Sequence, residues 1–234
     1  MITKRLAKII NDINNILLPA VCFGCNAQLS RGEQVLCVVC RHELPLTDHN
    51  FSDENAVDLM FYGRFPIKKA ASFAFFAKTG TVQNLIHHLK YKNQEHIGGF
   101  LGDWCGALVK NEKLLQTVDI VIPVPLHPKK EKKRGYNQVA LFAQKIATYI
   151  NADYRDDILV KKSNTKTQTK KDRQLRWENT KEAFQLNNQP LETHAHILLV
   201  DDVITTGATI EACAKTISQL ETVDISVLSI AMVP

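Results

Sequence analysis

The chain has 234 residues, which is enough for one ordinary domain and a small additional module, since domains commonly span about 100 to 200 residues. Its hydrophobic content of 45% and charged content of 23% are close to the averages of soluble globular proteins, which excludes a disordered, collagen-like or fibrous protein. The net charge of +5 is modest, but basic residues concentrate at 129–134 and 161–176. These runs favour ligands that carry phosphate; solvated loop surface is the alternative.

The first 18 residues predict an amphipathic helix, because apolar side chains recur there at helical spacing. These side chains are Ile2, Leu6, Ile9, Ile10, Ile13, Ile16 and Leu17. Asparagine and aspartate interrupt them, so we predict neither a signal peptide nor a transmembrane segment, and we expect a cytoplasmic protein. We expect this helix to dock on its own domain; a membrane or partner contact would call for more Lys and Arg.

Four cysteines follow in a C-x-x-C, eleven-residue gap, C-x-x-C arrangement: Cys22, Cys25, Cys37 and Cys40. Each pair can direct two thiolates to one point, and together they supply the tetrahedral four-sulfur site that zinc accepts. A cytosolic setting disfavours two disulfides, and a redox pair would not need a second matched pair. So short a segment cannot bury enough apolar surface to fold alone, so we expect one structural zinc ion to stabilise it.

The remaining two cysteines, Cys105 and Cys213, lie in helical patterns and are expected to be buried apolar residues. Residues 41–69 lose clear periodicity, and the run TDHNFSDEN is rich in turn formers. We therefore divide the chain into an N-terminal helix plus zinc ribbon at 1–45, a linker at 46–69 and a larger domain at 70–234.

Strand-like and helix-like runs alternate beyond residue 70. The predicted strands are 70–77, 118–124, 157–161, 196–200 and 223–232, and the predicted helices are 82–91, 100–110, 139–150 and 208–220. Such alternation predicts an α/β fold: a parallel sheet with helices on both faces. Ligands of these folds bind at the carboxyl ends of the strands.

The run ILLVDDVITTGAT at 197–209 predicts a ribose 5-phosphate site. Its apolar start suits a buried central strand that ends at Asp201 and Asp202. The hydroxyl-rich turn after them leads into a helix, whose N-terminal amides favour an anion. The two carboxylates can accept hydrogen bonds from vicinal sugar hydroxyls and help to attract a divalent metal. A simple helix cap is the alternative, but a cap needs only one such residue.

A basic segment, PLHPKKEKKRGYNQ, follows the predicted strand 118–124. We predict a loop there, because two prolines fix its backbone and its cations can face a pyrophosphate group.

The order of these motifs resembles the ComF family of competence-related proteins over nearly the entire chain. The matching segments are the cysteine pairs, IHHLKY, PVPLHPKKEKKRGYNQ, TKTQTKKDRQLRWENTKEAF and VDDVITTGAT. Family members look like phosphoribosyltransferases fused to an N-terminal zinc module, and the family is associated with uptake of transforming DNA in bacteria.

The resemblance implies a phosphoribosyltransferase-type fold and a role for each matched residue. The residues implied for phosphoribosyl binding, with the acids on ribose, are Asp201, Asp202, Thr205, Thr206, Gly207, Ala208 and Thr209. Those implied for pyrophosphate or nucleic acid are Lys129, Lys130, Arg134, Gln138, Gln168, Arg173 and Arg176. Ala208 stands where many relatives carry Ser or Thr, so one hydroxyl donor is missing from the phosphate site.

Three functions are compatible with this pocket. One is a phosphoribosyltransferase that uses magnesium on the pyrophosphate and an unknown acceptor, although the sequence offers no obvious general base beyond Lys90, His87 or His88. A second is binding of single-stranded DNA with the DNA-uptake machinery, which the family favours; Tyr91, Tyr136 and Trp177 are candidates for base stacking. The third is a regulator that senses phosphoribosyl pyrophosphate. Glutamine amidophosphoribosyltransferase activity is not expected, because the chain begins Met-Ile-Thr rather than with a cysteine nucleophile.

Overall fold

The computed structural model describes residues 19–161, 183–187, 194–220 and 222–234. The predicted helix at 1–18 and four residues singled out above lie outside the described residues; these are Gln168, Arg173, Arg176 and Trp177.

A parallel sheet forms the centre of the described structure. In chain order the strands are β1 (Ala70–Phe75), β2 (Ile120–Pro123), β3 (Asp153–Tyr154), β4 (Leu159–Lys161), β5 (Phe184–Leu186), β6 (His196–Ile204) and β7 (Asp224–Met232). Five of them pair in the order β1-β7-β6-β2-β3, and each of these pairings is parallel. Strands β4 and β5 form a separate antiparallel pair.

Helices cover both faces of this sheet. In the described residues the α-helices are α1 (Val38–His42), α2 (Ala56–Phe61), α3 (Thr81–Tyr91), α4 (His96–Val109), α5 (Pro128–Arg134), α6 (Ala140–Ile150) and α7 (Ala208–Ile217). Helices α3, α4 and α6 pack in one core layer with Leu198 and Val200 of β6. Helices α2 and α7 pack in the other layer with Ile197 and Leu199. The predicted parallel sheet with helices on both faces is confirmed.

The two helices that meet most closely, α4 and α6, do so at glycines. A Cβ atom on Gly102 would lie 2.7 Å from the Cβ of Lys145, and one on Gly106 would lie 2.4 Å from Cδ2 of Tyr149. Only glycine therefore allows the two backbones to come this close. The two glycines therefore set the close packing of α4 on α6.

Two predictions of local structure were wrong. Strand β6 was expected to end at residue 200, but it continues to Ile204 because β7 runs beside it and pairs Val203 with Ala231 and Ile204 with Met232. The basic segment was expected to be a loop, but it forms helix α5. Proline at a first helical position is favourable, His127 caps the start by accepting the Lys129 N–H at 3.1 Å, and Gly135 ends the helix in the left-handed conformation.

The segment 46–69 contacts β1 and buries several of its apolar side chains. Asn55 and Asp58 form a capping box that starts α2, and the Asn55 side chain donates to the Ala70 carbonyl at 2.7 Å. Phe51, Val57 and Phe61 are buried. This segment therefore contributes to the core, while the division of the chain into 1–45, 46–69 and 70–234 stays a prediction.

Candidate functional site

The four spaced cysteines come together at one point of the N-terminal module. Their sulfur atoms all lie within 4.8 Å of one another, and the Sγ atoms of Cys25 and Cys37 are 3.7 Å apart. Sulfur atoms around a tetrahedral zinc ion are separated by roughly 3.8 Å, given a Zn–S distance of about 2.3 Å. Backbone amides of Gly24 and Cys37 each donate to Cys22 Sγ at 3.3 Å, which supports a thiolate. The four cysteines fit a zinc ion, as the spacing predicted.

This cysteine module docks on α3 and α4. The Asn84 side chain of α3 donates to the Gly24 carbonyl at 2.7 Å. The Phe23 ring makes edge contacts with His88 at 4.9 Å and with His96 at 5.4 Å. On the neighbouring surface, the Arg41 guanidinium lies 5.0 Å from the Trp104 ring centroid. The module and the sheet domain thus share one core layer.

The carboxylate pair lies near the carboxyl end of β6, with its two side chains on opposite faces of the sheet. Successive side chains of a strand alternate between faces, and residues 197–200 do so in the two core layers. Asp202 continues this alternation on the α3 side, where it meets Lys90. Asp201 turns towards α7, where its charge contributes to raising the pKa of Cys213 after burial, the larger cause.

Asp202 is held by a chain of polar contacts. Lys90 Nζ lies 2.8 Å from Asp202 Oδ1, and the Gln138 amide donates to Oδ2. Arg134 in turn donates to the Gln138 side-chain oxygen, and its guanidinium lies 5.6 Å from the centroid of the Tyr91 ring. Two distant parts of the chain thus meet at one carboxylate: Lys90 and Gln138 contact Asp202, and Arg134 supports Gln138.

Asp201 has a different environment. It is 8% exposed, and its Oδ1 accepts the backbone N–H of Asp202 at 2.8 Å. Burial, and next the charge of Asp202, raise the pKa of Asp201 to about 7, against the weaker opposing effects of the Asp202 N–H and then of Lys90 and Lys161. The neutral carboxyl form of Asp201 is therefore populated near neutral pH.

The hydroxyl-rich turn after β6 is held from outside by residues of the 46–69 segment. Gly207 adopts φ of +72° at the start of α7, and a Cβ there would lie 2.6 Å from Cε1 of Phe61. Arg64 donates from Nη1 to the Thr206 carbonyl at 2.7 Å and from Nε to Glu211 at 2.8 Å. Thr205, Thr206, Ala208 and Thr209 remain exposed.

The structure brings some of the predicted site residues together and leaves others apart. Arg134 and Gln138 lie beside Asp202, whereas Lys129 and Lys130 are exposed on α5. The Tyr136 hydroxyl donates to the Leu89 carbonyl and so ties the end of α3 to the segment before α6.

Sequence reasoning did not find the supports of the turn, Phe61 and Arg64. They belong to the segment without periodicity, so no motif marked them. Lys90 was considered only as a candidate base. Its pairing with Asp202 was not predicted, because the two residues are 112 positions apart in the chain.

Within the described ranges, no helix is long and apolar enough to cross a membrane. No protein-family model matches the chain.

Curated relatives do match it over most of its length. It is 28% identical over 224 residues to "Competence protein F" of Haemophilus influenzae, covering 90% of this chain and 96% of that protein. It is 27% identical over 212 residues to "DNA utilization protein YhgH" of Shigella flexneri, covering 86% of this chain and 91% of that protein. The protein of that name from Salmonella typhimurium is 31% identical over 138 residues, with 56% and 58% covered. The expected resemblance to competence-related proteins is confirmed.

Solved structures similar to this chain include phosphoribosyltransferases. An adenine phosphoribosyltransferase from Leishmania tarentolae has a TM-score of 0.37 at 8% identity, covering 76% of this chain and 88% of that chain. A hypoxanthine phosphoribosyltransferase from Staphylococcus aureus has a TM-score of 0.36 at 12% identity, covering 60% and 76%. At these values, the fold described above rests on the strand order and directions of this chain itself.

The buried carboxyl of Asp201 predicts a pH-dependent stability. Its pKa of about 7 in the folded state exceeds the ordinary value of 3.8, so the folded state favours the proton, and stability is lost as pH rises through about 7. The Asp201→Asn variant keeps the shape without the charge. It should match wild type near pH 4 and become more stable above pH 7 by up to about 4 kcal/mol in the free energy of unfolding.

Chemical denaturation of wild type and variant across this pH range measures the difference. The same substitution at the exposed Asp153 is the control and should show no such gain. A difference for Asp201→Asn that stays constant with pH would contradict the assignment.

Proposed function

We propose that this chain, a homologue of Competence protein F and of DNA utilization protein YhgH, binds a phosphoribosyl group at the carboxyl end of β6 and serves DNA uptake or utilization. The observation that carries the proposal is the direct succession of a buried acidic pair and a left-handed glycine turn at the start of α7. The carboxyl groups can hydrogen-bond the hydroxyl groups of a sugar, and the turn can bind the phosphate of that sugar.

The turn supports the phosphate half of the ligand. The first backbone N–H groups of a helix have no partner within the helix, and its dipole adds partial positive charge. At α7 these groups follow Gly207, and the side chains of Thr205, Thr206 and Thr209 are exposed around them. Ala208 has no hydroxyl group, and its backbone N–H donates to Thr206 Oγ1 at the long distance of 3.5 Å, a bond that a phosphate oxygen can replace.

The acidic pair supports the ribose half. Each carboxylate oxygen has two lone pairs, so Asp202 keeps capacity for a hydroxyl group after its bonds to Lys90 and Gln138. Asp201 in its neutral form can also donate a hydrogen bond.

The neighbouring strand supports a pyrophosphate half. Strands β2 and β6 are adjacent and parallel, with Pro123 paired to Val200, so their carboxyl ends lie at the same edge of the sheet. Helix α5 follows β2 and carries Lys129, Lys130 and Arg134. We infer that phosphoribosyl pyrophosphate enters here with magnesium on its pyrophosphate group.

Binding at this site is compatible with an enzyme and with a sensor. Lys90 is paired with Asp202, so it is not a free base, and binding without turnover would describe a regulator that senses phosphoribosyl pyrophosphate. Transfer to an acceptor would describe a phosphoribosyltransferase. The distinction lies in whether pyrophosphate is released.

Calorimetric titration with phosphoribosyl pyrophosphate and magnesium should give saturable binding to wild type. The Asp201→Asn/Asp202→Asn double variant keeps the side-chain shapes and removes both carboxylates, so its affinity should fall by about tenfold or more. Asp153→Asn should bind as wild type does. Equal affinity in the double variant and wild type would contradict the pocket.

The same mixtures distinguish enzyme from regulator. Pyrophosphate released on addition of single-stranded DNA or another acceptor would support a phosphoribosyltransferase. Binding with no release under any of these conditions would support a sensor.

Single-stranded DNA is a second candidate ligand, favoured by the surface of α5. No residue of this helix is buried, and it exposes Lys129, Lys130, Lys132 and Lys133. Tyr91, beneath Arg134, is 67% exposed and offers a stacking surface next to this charge. When lysines neutralise DNA phosphates, counterions are released from the DNA. The affinity for single-stranded DNA should therefore decrease as the salt concentration increases.

Replacing the four lysines of α5 with glutamine should weaken binding of single-stranded DNA and reduce the slope of log affinity against log salt by about 3. Fluorescence anisotropy over a salt series measures both. The control replaces the exposed Lys110 and Lys113, which follow the end of α4 at Val109, and it should leave the slope unchanged. If both variants change the slope equally, or neither does, α5 is not the DNA contact.

We also propose that the cysteine module holds one zinc ion with a structural role, since four sulfur ligands leave no open position for catalysis. Metal analysis should find about one zinc per chain. Cys25→Ser should lower both zinc content and thermal stability, because a ligand is lost. Cys105→Ala, at a buried cysteine outside the cluster, should keep its zinc. Full zinc retention in Cys25→Ser would contradict the site.

A further inference from the structure

The acidic pair does not fit a metal ion that both carboxylates would share. Asp202 pairs with Lys90 on the α3 side, whereas Asp201 accepts the backbone N–H of Asp202 with its Oδ1, so each carboxyl group is held by different partners. Magnesium requires near-octahedral oxygen ligands at about 2.1 Å. Among the described residues, the four cysteines form the only group of three or more potential ligands close enough to hold a metal.

Asp202 already has a cation of its own. Lys90 Nζ lies 2.8 Å from Oδ1, and the two side chains are only 22% and 8% exposed, so the pair is shielded from water. The amide of Gln138 takes the other oxygen, and Arg134 adds a second positive charge through Gln138. A magnesium ion at this carboxylate would have to displace the ammonium group and face the guanidinium.

The position of Lys90 is fixed by the fold. It stands near the end of α3, where the Tyr136 hydroxyl binds the carbonyl of the preceding residue, Leu89. Earlier in the same helix, Asn84 binds the cysteine module through Gly24. These contacts hold helix α3 in place, and within the described part of the chain the ammonium donates to Asp202, which leaves two N–H bonds for a ligand oxygen beside that carboxylate.

We propose that Lys90 is a positioning residue that replaces a metal ion on the ribose side of the pocket. It holds Asp202 in place to receive a ribose hydroxyl, so that a ribose phosphate binds without a metal on the protein. This inference rests on the proposed phosphoribosyl site and differs from the expectation that the acidic pair attracts a divalent cation. Magnesium then enters only on a ligand that carries pyrophosphate.

The test uses ribose 5-phosphate, which lacks the pyrophosphate group. Calorimetric titration of wild type should give the same affinity, within about twofold, in excess magnesium and in EDTA. Lys90→Gln leaves the Asp202 carboxylate unpaired, so its affinity in EDTA should fall by about tenfold or more and recover in magnesium. Lys90→Arg should behave as wild type, and so should the matched control Lys92→Gln at an exposed lysine two residues away.

A purely structural role of Lys90 would lower affinity equally with and without magnesium, which would overturn the inference. The Lys90→Gln/Asp202→Asn double variant removes both charges, and magnesium should no longer restore its binding. If the unpaired carboxylate prevents Lys90→Gln from folding, this double variant is used in its place. Recovery in magnesium without the carboxylate would contradict the inference.

The wild-type titrations separate this inference from the proposed function. Binding of ribose 5-phosphate that requires magnesium would overturn the role of Lys90 and leave the pocket intact. Failure to bind ribose 5-phosphate or phosphoribosyl pyrophosphate in either condition would refute the pocket itself, and the inference with it.

Discussion

The two-residue period of β6 is the constraint on which the rest of the site depends. Because the strand is covered on both faces, successive side chains at 197–200 lie in alternate core layers, and Asp202 continues this order beside Lys90 of α3. Adjacent aspartates at its carboxyl end must then differ in environment. One meets Lys90 and Gln138, and the other is enclosed on the α7 side with a raised pKa. Identical residues thus acquire different chemistry from position alone.

Much of this arrangement was predictable from the sequence because it is local. The cysteine spacing predicted the four-sulfur cluster, and the alternation of apolar runs predicted the parallel sheet. The predicted end of β6 was wrong because the last residues of this strand pair with β7, and no local sequence pattern reveals that partner. Helix α5 was missed because a run of lysines has no apolar face, and its ends depend on Pro128 and Gly135.

Contacts between distant parts of the chain were the least predictable. Lys90 and Asp202 are separated by 112 residues, and Arg64 and Glu211 by 147. Lys90, Arg64 and Glu211 taken alone resemble ordinary surface charges, and the motif that marked Asp202 did not reveal its partner. Their pairing becomes evident only when the sheet brings α3 and β6 together, and when segment 46–69 crosses over to the start of α7. Because these pairs are partly buried, their electrostatic attraction is screened less by water than that of exposed pairs.

The contact between Phe61 and Gly207 bears on how the protein can be divided. The Phe61 ring occupies the space that a side chain at 207 would need, and Arg64 binds the carbonyl just before that glycine. Both come from upstream of β1. A fragment that starts at Ala70 would lack Phe61 and Arg64, which hold the turn from outside. A fragment designed for crystallisation or interaction screening keeps both residues in a capped helix only if it begins before Asn55, the cap of α2.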